Sequence, residues 1–197
     1  TWKEQKGSPV PYKLIKEHNT HSIDTKEVLD CFYMGKISKV WWETHQLIIY
    51  WEQAMEALRS LTESHGLICD RSFVDVHSFM LLYLSETQYN QLRPLYDHFV
   101  TLFMEMCIKK QYFIQPLIVT KPPLVAWQQF IKRNRSAEVL AFTQEGYIQY
   151  MRKYEEATKT TMGMLRDKYG NTLIRDTKII DSLSVPQTLR DFDEIAD

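Results

Sequence analysis

Residues 67–72 of this chain read Leu-Ile-Cys-Asp-Arg-Ser, an apolar run that ends in an acid–base pair and a hydroxyl. A short apolar run that follows a glycine is typical of a parallel strand covered on both faces. Helical periodicity then extends from Ser72 to Tyr83. The stretch therefore predicts a buried strand that delivers Asp70 and Arg71 to the start of a helix. Open parallel sheets bind ligands at this edge, so the pair indicates a site for a phosphate group.

Outward from this stretch, short apolar runs alternate with segments of helical pattern. The predicted strands are 67–69, 113–119 and 172–175, and the predicted helices are 12–17, 24–32 with Asp24 as N-cap, 36–64, 72–83, 86–109, 122–133, 143–167 and a closing helix that begins at Ser184. Strands that alternate with helices predict an α/β fold, rich in helix, with a parallel sheet flanked by helices.

Length and composition limit the class of protein. A length of 197 residues fits one domain or one domain with a small lobe, and we predict a single domain over 1–197; the hydrophobic content of 44% allows a sizeable core. The net charge of -1 argues against an extended nucleic-acid surface, and no apolar run reaches the length of a membrane span. The three cysteines form no CxxC pair, so we expect a reducing, cytoplasmic setting and neither a disulfide framework nor a zinc site.

The order of three motifs resembles a known family. Asp70-Arg71 ends a strand and a helix follows; residues 133–138 match R-x-R-x-x-E in an arginine-rich lid over about 132–145; and residues 142–154 carry an aromatic-rich helix pattern. With this order and spacing, the chain resembles the thymidylate kinases and, more loosely, the deoxynucleoside kinases, both P-loop phosphoryl-transfer enzymes. The resemblance implies a P-loop kinase-like fold, ATP and Mg²⁺ as cofactors, a nucleotide acceptor and a possible homodimer.

The resemblance also implies roles for particular residues. Arg71 would hold the acceptor phosphate because its planar fork pairs with phosphate oxygens, and Asp70 would steer Mg²⁺ through water or orient the acceptor. The remaining assignments are Arg133 and Arg135 closing over the ATP phosphates, Phe32 stacking on the acceptor base, Lys36 standing where the family has an arginine, and Asp75 and Phe79 as further substrate contacts.

The chain departs from the family in two ways. No G-x-x-x-x-G-K-[ST] motif occurs in it, and Gly35-Lys36-Ile37-Ser38 is only superficially similar. We expect the missing strand and loop to lie upstream of Thr1, which is not a methionine. The family also has a serine where Asp75 stands and a base-reading glutamine where Met80 stands. The acceptor is therefore open between a thymidine nucleotide, another nucleotide and a nucleoside.

Other interpretations remain open at this stage. Asp70 and Arg71 can be a structural ion pair, Arg133 and Arg135 a solvated helix end, and Phe32 a core residue. The whole chain can be a kinase-like subunit without catalysis, or a helix-rich interaction module. The sequence predicts a nucleoside monophosphate kinase only if a P-loop precedes the chain.

Overall fold

The structure is a computed structural model. It describes residues 13–15, 23–60, 67–69, 71–133 and 141–181. The helices are α1 (Ile23–Tyr33), α2 (Lys39–Ser60), α3 (Phe73–Tyr83), α4 (Glu86–Lys109), α5 (Pro123–Arg133) and α6 (Gln144–Tyr169), and the strands are β1 (Lys13–Ile15), β2 (Leu67–Cys69), β3 (Leu117–Thr120) and β4 (Lys178–Asp181).

The strands form two parallel pairs. In the pair β1–β2, Lys13 lies opposite Leu67, and in the pair β3–β4, Leu117 lies opposite Lys178. Parallel neighbours need a long crossover, and here α1 and α2 connect the first pair while α5 and α6 connect the second. The prediction of a helix-rich chain with parallel strands is confirmed. A P-loop kinase fold is a finer statement that stays a prediction.

The chain divides into two compact units, Thr1–Phe103 and Met104–Asp197. In the first unit, α2 packs against α3, and the side chains of Leu47, Val76 and Tyr96 are fully buried. In the second, α5 packs on α6 through a stack of Phe130 on Tyr147, with ring centroids 4.3 Å apart. The single domain predicted over 1–197 stays a prediction.

Helices α3, α4, α5 and α6 match their predicted bounds closely. Ser72 caps α3 and Thr143 caps α6, each accepting a backbone N–H with its side-chain hydroxyl, at the residues where the sequence pattern placed the start of these helices. Helix α2 begins at Lys39 and not at residue 36, because Ser38 caps it by accepting the N–H of Trp41. Helix α1 begins at Ile23, so Asp24 lies inside it and not at its N-cap.

One helix prediction and two strand predictions need correction. Residues 13–15, predicted as helix, are a strand, because pairing with β2 outweighs a short ambiguous apolar run. The strand predicted at 113–119 is a single bridge at Ile114 and then β3 from Leu117, since Pro116 has no N–H to donate. The strand predicted at 172–175 is a turn and the partner of that bridge, and β4 follows at 178.

The prediction that residues 67–69 are covered on both faces is also wrong in part. Cys69 is exposed, and among the described residues β2 pairs with β1 alone. The helix predicted from Ser184 lies outside the described residues.

Candidate functional site

The residue that precedes the N-cap of α3 has an unusual backbone conformation. Arg71 has a φ of 69°, in the left-handed region that non-glycine residues seldom occupy. Ser72 follows as the N-cap of α3, and its hydroxyl accepts the N–H of Val74 at 3.2 Å. Arg71 thus stands at the carboxyl end of a parallel strand, as predicted. Asp70, its predicted companion, lies outside the described residues.

The side chain of Arg71 is directed along α3. Its guanidinium carbon lies 5.5 Å from the centroid of the Phe79 ring, a cation–π contact. Arg71 is half-buried, and its contact with the Phe79 ring restricts the position of the guanidinium. The structure therefore brings together two of the residues that the sequence assigned to substrate binding.

A row of aromatic rings continues from this contact, and we call it the aromatic row: Phe79, Tyr83, Phe32 and Trp42. Phe79 stacks on Tyr83 at 6.0 Å, and Tyr83 meets the ring of Phe32 edge-on at 5.7 Å. Trp42 stacks on one face of Phe32 at 5.0 Å, which leaves at most the other face for a base. Phe32 is thus linked to the turn through Tyr83, which the sequence reasoning missed although it lies one helical turn from Phe79.

Asp75 completes a capping box at this turn. Its carboxylate Oδ2 accepts the backbone N–H of Ser72 at 2.6 Å, while the Ser72 hydroxyl caps the helix in return. An acidic residue in the first turn also suits the helix dipole. Asp75 therefore has a local structural role that the sequence reasoning did not consider. Its predicted contact with substrate stays a prediction.

Lys36 lies in the link between α1 and α2. The N–H of Gly35 donates to the carbonyl of Phe32, and the N–H of Lys36 donates to that of Cys31, which together form a Schellman motif. Gly35 has a φ of 68°, as this motif favours. Ser38 then caps α2 by accepting the N–H of Trp41 at 3.1 Å. This link is a helix end followed by a helix start, and the Lys36 side chain is exposed.

The predicted lid residues are described only in part. Arg133 is the last residue of α5, and Arg135 lies outside the described residues, as do all of residues 134–140 of the predicted lid. Searched over the described ranges, the structure holds no group of three or more His, Cys, Asp or Glu side chains able to bind a metal ion.

A polar network joins α3 to α4. His77 is fully buried, and its Nε2 lies 2.8 Å from the Tyr89 hydroxyl and 3.3 Å from Arg93 Nη1. Arg93 also donates to the Tyr89 hydroxyl and pairs with Asp97 at 2.8 Å. Because arginine only donates, Nε2 of His77 is an acceptor and Tyr89 donates to it. Burial, followed by the positive charge of Arg93, lowers the pKa of His77 to about 4.

A second buried ionisable group lies on α2. Glu43 is fully buried, and within the part of the chain that the structure describes, neither of its carboxylate oxygens has a hydrogen-bond partner. Burial raises the pKa of this carboxyl to about 8. The sequence indicates this burial, because Glu43 lies one and two helical turns before Leu47 and Tyr50 and shares their apolar helix face.

No protein-family model, curated protein or solved structure matches this chain. Among the helices of the described ranges, none combines the length and the apolar character needed to cross a membrane.

Proposed function

We propose that the chain carries the acceptor side of a nucleotide kinase of thymidylate-kinase type, which transfers the γ-phosphate of ATP to a nucleoside monophosphate. The observation that supports this most is the position of Arg71. It stands at the carboxyl end of a parallel strand, with its guanidinium held over Phe79 at 5.5 Å. A planar cation at this place suits a phosphate dianion, and the aromatic row beside it suits a nucleobase.

The transfer step needs further groups. By resemblance, Arg133 and Arg135 contact the ATP phosphates, and Asp70 steers Mg²⁺ through water; Lys36 and Phe32 contribute to the acceptor site. Bound Mg²⁺ would neutralise charge that spreads over the transferred phosphoryl group. The phosphate-cradling motif of P-loop enzymes does not occur among the 197 residues. A cytoplasmic location and a homodimer belong to the same proposal.

Acceptor binding is tested with pairs of nucleoside monophosphates and their nucleosides, by calorimetry on the chain and on Arg71→Gly. Glycine removes the guanidinium but accepts a positive φ without strain, so the fold is retained. We expect affinity for the monophosphate to fall about 10- to 100-fold while nucleoside affinity is unchanged. Arg59→Ala removes an arginine from the last turn of α2 and is the matched control. Equal loss for both ligands would refute a phosphate role for Arg71.

Transfer itself is tested with the longest reading frame that contains this chain, in a coupled ADP-release assay across nucleoside monophosphates. Turnover that Arg71→Gly abolishes supports the kinase. Binding without turnover supports the alternative, a kinase-like subunit that is not catalytic. Turnover with nucleosides and not with monophosphates identifies a deoxynucleoside kinase.

A further inference from the structure

Within the described ranges, two non-glycine residues have a positive φ, Arg71 and Gln111. The positive φ of Gln111 is explained by the end of α4, where Gln111 is the left-handed residue of a Schellman motif. In this motif the N–H of Tyr112 donates to the carbonyl of Cys107. Arg71 comes before a helix, where no such motif calls for a left-handed residue. This conformation costs free energy, so other contacts must hold it in place.

The capping box supplies such a contact. The amide that donates to Asp75 Oδ2 at 2.6 Å is the N–H of Ser72, which belongs to the peptide unit joining Arg71 to Ser72. A carboxylate bound to this N–H restricts the rotation of that peptide unit about the Cα–C bond of Arg71, and so it limits the backbone conformations open to Arg71. Asp75 and Phe79 are four residues apart on α3 and lie on one face. One face of the helix thus fixes both the backbone and the guanidinium of Arg71.

We propose that Asp75 is a positioning residue, whose carboxylate holds Arg71 in its left-handed conformation so that the guanidinium meets the phosphate of a ligand. The inference rests on the proposed function, because it takes that phosphate to be the acceptor's. It also accounts for an acid beside an anion site. The carboxylate is directed to a backbone N–H at a helix start, where negative charge is favourable, and it need not contact the phosphate.

The chain offers a matched control in a second capping box. Ser85 N–H donates to Gln88 Oε1 at 3.0 Å, and Gln88 N–H donates to the Ser85 hydroxyl at 3.3 Å, at the start of α4. The residue before this box, Leu84, has an ordinary φ of -89°. The two boxes share one hydrogen-bond pattern, with a carboxylate as acceptor in the first and a carboxamide in the second, but only the first follows an arginine with a positive φ. If Asp75 only stabilises its helix, Asp75→Ala and Gln88→Ala should have the same effect on ligand affinity.

The experiment compares Asp75→Ala, Asp75→Glu and Gln88→Ala with the wild type, measuring unfolding midpoints and the affinity for nucleoside monophosphates, nucleosides and pyrophosphate. We expect both alanine variants to unfold at lower denaturant. Only Asp75→Ala should lose affinity for the phosphorylated ligands, about tenfold, with nucleoside affinity unchanged. Glutamate is the usual acid of a capping box, so Asp75→Glu should restore most of that affinity.

The outcomes separate this inference from the proposed function. Monophosphate binding that Asp75→Ala leaves intact, or that Gln88→Ala weakens equally, keeps the function and overturns the inference. Pyrophosphate binding that depends on Asp75, without binding of any monophosphate, keeps the positioning role and overturns the proposed acceptor. Absence of binding to every phosphorylated probe overturns both.

Discussion

Glu43 on α2 and His77 on α3 are both fully buried and ionisable, but their polar atoms have different surroundings. His77 accepts a hydrogen bond from Tyr89, whereas within the described ranges the carboxylate oxygens of Glu43 have no partner. Burial drives each group to its neutral form, raising the pKa of Glu43 to about 8 and lowering that of His77 to about 4. The neutral imidazole of His77 takes part in a hydrogen-bond network, whereas among the described residues the neutral carboxyl of Glu43 has no hydrogen-bond partner.

The two groups give the free energy of unfolding opposite dependences on pH. Because folding raises the pKa of Glu43, its contribution is complete below pH 4.5 and is lost as the pH rises to about 8. Because folding lowers the pKa of His77, its contribution is complete above pH 6.5 and is lost as the pH falls to about 4. Between pH 4.5 and pH 6.5 the two opposite changes in the free energy of unfolding cancel, so we expect maximal stability in this range.

Glu43→Gln tests the buried carboxyl, whose oxygens have no hydrogen-bond partner among the described residues. Glutamine keeps the volume and cannot ionise, so the variant should lack the loss of stability at alkaline pH. We expect its free energy of unfolding, relative to the wild type, to rise by about 3 kcal/mol between about pH 5.5 and about pH 8.5. Urea unfolding at the two pH values measures this. Glu56→Gln, at an exposed carboxylate of α2, is the control, and an equal rise there would contradict burial as the cause.

His77→Phe tests the side that has a network. Phenylalanine keeps a ring against Tyr96, whose centroid lies 4.8 Å from that of His77, but it leaves the Tyr89 hydroxyl without its acceptor. We expect a loss of about 1–2 kcal/mol near neutral pH. The wild type loses about 2 kcal/mol on going to about pH 5 and the variant has no imidazole to protonate, so that deficit should disappear or reverse there. A deficit that does not change with pH would show that His77 is not the group that titrates.

The parts of the fold that could be predicted have local causes, whereas the parts that could not depend on contacts between distant segments. The bounds of α3 and α6 depend on capping hydroxyls, Ser72 and Thr143, which are visible in the sequence. The strand at 178–181 could not be chosen over 172–175, because both are short runs with β-branched residues and only the pairing with β3 decides. Residues 13–15 became a strand for the same reason.

The candidate site divides in a similar way. The sequence identified Arg71 and Phe79, and the structure brings them together. It did not identify Tyr83 as the link to Phe32, nor Asp75 as the clamp on the peptide unit after Arg71. A positive φ at an arginine has no signature in sequence, because it arises from the strand, the cap and the helix together.

Tyr89→Phe tests whether the network of His77 acts as a unit. The change removes the hydroxyl that joins the imidazole to Arg93, and we expect a loss of about 1 kcal/mol in the free energy of unfolding. Combined with His77→Phe, the two losses should not add, because both variants break the same hydrogen bond. A double-mutant cycle from urea unfolding near neutral pH measures the coupling. Additive losses would mean that the hydrogen bond contributes nothing to stability.

Asp97→Asn tests how far the surroundings of His77 extend. The Arg93–Asp97 pair is partly exposed, so its loss should cost only about 0.5 kcal/mol and less at high salt. Asp97 also counteracts the lowering of the His77 pKa, so its removal should shift the acid transition to lower pH. Glu155→Gln breaks an exposed pair with Lys159 on α6 and should cost as little without moving that transition. If both variants shift the acid transition equally, the charge of Asp97 does not act on the His77 pKa. Burial would then be the cause of the lowered pKa of His77, as it is of the raised pKa of Glu43.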